Sequence, residues 1–140
     1  MPTRVEKDSL GERRIPEDAF WGAQTSRAVE NYPISGQRAH PEMVKAYARL
    51  KQACALANRE FGRLSPEKTN AIVAACKEVE EGKLTDQFVV DVYQAGAGTS
   101  FHMNVNEVLA GRAAEILGIS LKTLHNKLKE YGAQSIATAS

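Results

Sequence analysis

Gly96-Ala97-Gly98-Thr99-Ser100-Phe101-His102-Met103-Asn104-Val105-Asn106-Glu107 reads as a glycine-rich turn that feeds directly into a helix. The first N–H groups of a helix have no partner inside it and sit at its positive end, so such a start suits a carboxylate. Thr99 and Ser100 add two hydroxyls there, and Gly98 supplies the turn. Local sequence leaves two roles open for these residues: binding an anion, or only turning the chain and capping the helix.

Outward from this stretch, the pattern is mostly α-helical. Met103, Val105, Val108, Leu109, Ala113, Ile116 and Leu117 fit a helix that begins near Phe101, with Thr99 or Ser100 as cap and Gly118 as its end. Upstream, Met43, Tyr47, Leu50, Cys54, Ala57 and Phe61 recur at steps of four and three, which predicts a helix over Pro41–Gly62. That face is expected in the core, with an oligomer interface as the alternative. Ser65-Pro66 is a cap followed by proline at the first helical position, and Ile72, Cys76 and Val79 carry a second helix to Gly82. Phe88, Val89, Val90 and Val92 suit a short strand or extended segment within Lys83–Tyr93. Residues 1–36, with Gly11, Pro16, Gly22, Pro33 and Gly36, predict an irregular segment with a small strand pair and one short helix near Thr25–Glu30.

With 140 residues, the chain suffices for one compact core plus a tail. A net charge of +1 gives no global field that would mark a nucleic-acid or membrane binder, so such a role would need a local patch. Cys54 and Cys76 lack Cys-x-x-Cys spacing and the three histidines, His40, His102 and His125, are scattered, so no metal or cofactor is expected. Both thiols are expected to be buried. No apolar run approaches a membrane span and Met1–Asp8 has no signal-like core, which predicts a cytoplasmic protein without a membrane partner.

The opening stretch, together with Glu6–Gly11, Ile15-Pro16, Phe20-Trp21-Gly22-Ala23-Gln24-Thr25, Arg27-Ala28, Ile34-Ser35 and Asp91–Gly96, closely resembles the N-terminal part of the fumarase/aspartase superfamily. The resemblance runs from about Arg4 to Gly118, with Phe101 and His102 as departures from the usual strip. It implies that Gly98, Thr99, Ser100 and His102 bind a dicarboxylate (fumarate, aspartate or malate), His102 standing where asparagine is usual. Ala97 looks more aspartase-like than fumarase-like. Enzymes of this kind eliminate water or ammonia to form fumarate, using a serine base and further strips that the sequence does not contain. No catalytic residue is therefore assigned, standalone activity is not expected, and association with itself or with a full-length lyase is.

Arg112–Gly132 resembles the Fis-like helix-turn-helix tails of bacterial regulators, with a turn at Gly118, a cap at Ser120 and an inward face of Leu121, Leu124, Leu128 and Tyr131. On that reading, residues 1–111 form a truncated lyase-like lobe and 112–140 a tail that shares the preceding helix. DNA is then the expected partner, with Lys122, Lys127 and Lys129 available for phosphates and Thr123, His125 and Asn126 for base edges. The expected fold is mostly α, with an irregular, short-strand N-terminal segment, amphipathic helices and a C-terminal helix-turn-helix; the expected activity is sequence-specific DNA binding, with a lyase fragment or subunit as the alternative.

Overall fold

The computed structural model describes residues 1–94 and 96–119. The chain opens with an antiparallel hairpin, β1 (Thr3–Asp8) and β2 (Gly11–Pro16), whose register pairs Thr3 with Pro16 and Asp8 with Gly11. The Ser9-Leu10 turn is closed by the Asp8 carboxylate, which accepts the Leu10 N–H at 2.8 Å, and Gly11, which follows the turn and pairs with Asp8, takes a φ of 116° that glycine adopts without strain. Arg4 fastens the hairpin to the loop that follows, donating to the carbonyls of Pro16, Ala19 and Trp21 at 2.6–2.9 Å.

Four helices follow: α1 (Ala23–Asn31), α2 (Pro41–Glu60), α3 (Pro66–Glu80) and α4 (Thr99–Ile116). The expected Ser65 cap is present, its hydroxyl accepting the Lys68 N–H at 3.4 Å. Gly62, Gly82 and Gly118 end α2, α3 and α4 with φ of 68°, 82° and 64°. In each case the next residue's N–H reaches back to a carbonyl of the last turn: Arg63 to Asn58, Lys83 to Glu78 and Ile119 to Ala114. This closure satisfies carbonyls that the helix leaves open, and needs the left-handed conformation glycine adopts without strain.

The core joins Val44 and Ala48 of α2, Ala75, Cys76 and Val79 of α3, and Phe101, Val105, Val108 and Leu109 of α4, closed by Phe88. The Tyr47 and Phe101 rings meet edge to face with centroids 4.9 Å apart. Between α3 and α4 the chain makes a single 3-10 turn, Thr85–Gln87, and then runs extended with one bridge between Asp91 and Arg38, so the segment expected as a strand joins no sheet beyond that bridge.

Three expectations are corrected. The stripe Met43, Leu50, Cys54, Ala57, Phe61 does not enter the core: α2 packs with Val44, Ala48 and Ala55, and Phe61 is 80% exposed. Both stripes have helical spacing, and the choice between them is made by where α3 and α4 lie, which periodicity does not encode. Cys54 is consequently exposed, and only Cys76 is buried. Neither Thr99 nor Ser100 caps α4; the cap is Gly98, at φ 82°, and both hydroxyl residues fall inside the first turn. The helix-turn-helix expected over 112–132 lies, beyond Ile119, outside the described residues, and α4 runs unbroken across the 111/112 boundary.

Candidate functional site

A helix with 3.6 residues per turn sends residues three and four apart to one side. On α4 this sorts the opening motif into three faces. Phe101, Val105 and Val108 enter the core. Thr99, Ser100 and Met103 line a cleft of about 280 Å³ whose other wall includes Gln24, Arg27 and Asn31 of α1 and Asp8 at the end of β1. His102 and Asn106 face α2.

The start of α4 is held by a residue the sequence reading passed over. The Gln94 side-chain oxygen accepts the Phe101 N–H at 2.7 Å, and its amide nitrogen donates to the Asp91 carbonyl at 2.9 Å. Gln94 thereby takes the third N–H of the helix. Among the described residues, the N–H groups of Thr99 and Ser100 have no such partner, and they sit beside two hydroxyls at the mouth of the cleft. That is donor-rich chemistry suited to a carboxylate.

The nearest cation is already engaged. Arg27 grips Asp8 with two bonds of 2.9 and 2.8 Å, which holds the Asp8 carboxyl below the usual carboxylate range despite partial burial. Arg27 thus brings a largely neutralised pair to the cleft wall, and the cleft's unengaged donors are those of Thr99, Ser100 and their backbone.

His102 is not brought to this cleft. Its Nδ1 lies 3.2 Å from Lys51 Nζ and its Nε2 3.2 Å from the Asn106 amide, with the Tyr47 ring alongside. An ammonium can only donate, so Nδ1 carries the lone pair and Nε2 the proton, and the Asn106 amide must turn its oxygen toward Nε2. The imidazole thus ties α2 to α4, one helix face away from Thr99 and Ser100. Lys122, Thr123, His125, Asn126, Lys127 and Lys129 lie outside the described residues. Among the described residues no cluster of His, Cys, Asp or Glu could hold a metal ion, and no helix is long and apolar enough to cross a membrane.

The remaining motif residues build the walls. Glu107 accepts the N–H groups of Gly22, Gln24 and Thr25 at 2.9–3.0 Å, capping α1, whose own cap residue, Gly22, has no side chain to do so. Glu6 takes the fourth, from Ala23, at 3.2 Å. Fully buried Asn104 accepts from the Val89 N–H and donates to the Gln87 carbonyl, both at 3.0 Å, pinning the incoming segment to α4. Asp91 gathers the N–H groups of Tyr93, Ser35 and Gly36 and the Ser35 hydroxyl at 2.7–2.9 Å. These donors, the Tyr93 N–H foremost, hold its carboxyl down at about 2 against the opposing effect of burial. The cleft owes its shape to these contacts: α1 is hung on α4 through Glu107, and the turn before Thr99 on Asp91 and Gln94.

A family model described as Lyase matches residues 11–135. The chain belongs to the fumarate lyase family. Aspartate ammonia-lyase of Bacillus sp is 56% identical over 115 residues, covering 82% of this chain and 25% of that protein. Fumarate hydratase class II of Halobacterium salinarum is 52% identical over 135 residues, covering 94% of this chain and 29% of its own. The fumarate lyase:delta crystallin of Brucella melitensis in native form superposes with a TM-score of 0.85 at 50% identity, over 89% of this chain and 30% of that one. The chain thus spans about a quarter of the length of the curated relatives it matches. The family match also crosses the stretch whose pattern resembles a helix-turn-helix.

Proposed function

We propose that this chain supplies the N-terminal part of a fumarate lyase site, binding one carboxylate of fumarate, aspartate or malate at the Gly98–Ser100 turn. The observation that carries this reading is the meeting of unengaged first-turn N–H groups, two hydroxyls and a defined cleft at one helix start. In such a lyase the reaction removes water or ammonia from the substrate. A bound carboxylate places the adjacent C–H bond for a base, and orientation of this kind is effective only when the reacting groups share one site. No base is assigned among the residues of this sequence, so their role on this reading is to position substrate for groups supplied by further lyase polypeptide. His102 acts on this reading through the α2–α4 seam and not by touching substrate.

The sequence pattern of residues 112–132 leaves DNA binding as a second role, but family membership across residues 11–135 favours the lyase reading for the same stretch. A division at 111/112 into lobe and tail would fall inside α4. The test of the lyase reading is complementation: the chain is mixed with a lyase relative lacking its own N-terminal part, and fumarate formation from malate or aspartate is followed by absorbance. The reading expects no turnover from either alone, turnover from the mixture, and loss of it with Thr99→Ala/Ser100→Ala. Turnover that is indifferent to that double variant would remove these residues from the site.

A further inference from the structure

A second groove, of about 270 Å³, runs along the later turns of α4. Asn106, Ala110, Ala113 and Leu117 follow one another at steps of four and three and fall within about 60° of arc at 3.6 residues per turn, so together they make one wall. Ala55 of α2, Leu64 just before α3 and Ile72 within it stand opposite. The lining is graded. Lys51 and Asn106, joined through His102, mark one end; the middle is apolar over Leu109; and Leu117 closes the other end.

The chain leaves α4 at the Leu117 end. Gly118, at φ 64°, reverses its course, and the Ile119 N–H closes the reversal on the Ala114 carbonyl at 3.0 Å. Next in sequence come Ser120, a capping residue, and the stripe Leu121, Leu124, Leu128 and Tyr131 at steps of three and four. At helical spacing Lys122, Lys129 and Glu130 fall more than about 100° from the centre of that stripe.

We infer that residues 120–132 form a helix that lies antiparallel to α4 and closes this groove with the stripe. The lengths agree. Leu117 to Asn106 is eleven residues, about 16 Å of helix, and Leu121 to Tyr131 is ten, about 15 Å. Pairing outward from the Gly118 turn sets Leu121 against Leu117, Leu124 against Ala113, Leu128 against Ala110 and Tyr131 against Asn106. Leucine meets alanine in the apolar middle, where the two helices approach closely. The Tyr131 phenol arrives at the end where Lys51 and Asn106 offer polar partners. A helix-turn-helix would instead cross the two helices at roughly 90–120°, which carries Leu128 and Tyr131 away from Ala110 and Asn106. The groove selects the antiparallel course, because its apolar lining continues past Ala113 to Ala110 and Leu109 and a crossed helix would leave that part open. Lys122 and Lys129 then face away from the groove. The inference does not depend on the lyase reading.

The experiment is nuclear Overhauser spectroscopy on the full chain labelled at its Ala, Ile and Leu methyl groups. Leu124→Glu within the stripe and Thr123→Glu off it are measured beside the wild type, with far-UV circular dichroism to verify folding. The inference expects cross-peaks from Leu124 to Ala113 and from Leu128 to Ala110 in the wild type and in Thr123→Glu, and their loss in Leu124→Glu. Should Leu124→Glu unfold, the wild-type spectrum decides. A folded wild type without cross-peaks between stripe and groove overturns the inference, as do cross-peaks that persist in Leu124→Glu. Contacts confined to Leu121 and Leu117 would mean a crossed pair and overturn it too. So would contacts seen only between labelled and unlabelled chains in an isotope-filtered mixture, because they would put a second copy's segment in the groove.

Discussion

Replacing Glu107 with alanine should loosen the cleft without touching it. The Glu107 carboxylate is the acceptor for Gly22, Gln24 and Thr25, three of the N–H groups that open α1, at 2.9, 3.0 and 3.0 Å. A hydrogen bond to a charged group contributes about 1.5–3 kcal/mol, and losing a helix N-cap costs about 0.5–2 kcal/mol. Gln24 is exposed, so water can replace the carboxylate at that donor. Gly22 and Thr25 are buried, which leaves two donors that water reaches poorly. These together give about 3 kcal/mol for Glu107→Ala, and about half of that for Glu107→Gln, which keeps one acceptor oxygen. For a chain of this size, 3 kcal/mol corresponds to a melting temperature lower by roughly 10 °C. Urea unfolding followed by the fluorescence of Trp21, which adjoins the capped turn, measures it. A change below about 0.5 kcal/mol for Glu107→Ala would refute the argument, because it would mean that α1 finds its cap elsewhere.

Three further outcomes follow from the packing and the charges. Gly111→Ala should destabilise the fold by about 1–3 kcal/mol in spite of alanine's better helix propensity, because a Cβ there would press on the Phe20 backbone carbonyl; thermal unfolding checks the sign. Asp91, held at about 2 in the fold against an ordinary 3.8, adds stability that is present above pH 4 and lost as pH falls through 2. Asp91→Asn should therefore flatten the acid limb of a stability–pH profile, and an unchanged limb would count against the assignment. With Cys54 exposed and the Cys76 thiol pushed up to about 11, first by burial and then by the Glu80 carboxylate, a thiol reagent should label one cysteine per native chain and both after denaturation.

Much of the fold is legible in local signals. The caps at Ser65, the prolines at the starts of α2 and α3, and the glycines that end three helices each have a short-range cause, and each element they bound is present. What escaped is what depends on distant partners. The two faces of α2 carry similar apolar spacing, and only the positions of α3 and α4 determine that Val44 and Ala48 are inside while Leu50 and Phe61 are not. The site divides in the same way. Thr99 and Ser100 stand out beside their glycine turn, whereas Gln24, Arg27 and Asp8 reach the cleft from more than seventy residues upstream. His102 occupies a position in the motif that suggests the cleft, yet its place on the helix wheel, one face from Thr99, takes it to Lys51. The motif's Asn104, Glu107 and Asp91 act as braces, and the sequence shows them as part of a family pattern without showing what they hold.

The most direct test of the central claim is a titration of the isotopically labelled full chain with fumarate, aspartate and malate, read from its backbone amide resonances. Carboxylate binding at the start of α4 predicts saturable shifts of the Gly98, Thr99 and Ser100 amides, extending to Gln24 and Arg27 across the cleft, that vanish in Thr99→Ala/Ser100→Ala. Shifts confined to other parts of the chain, or shifts that survive that double substitution unchanged, would contradict it.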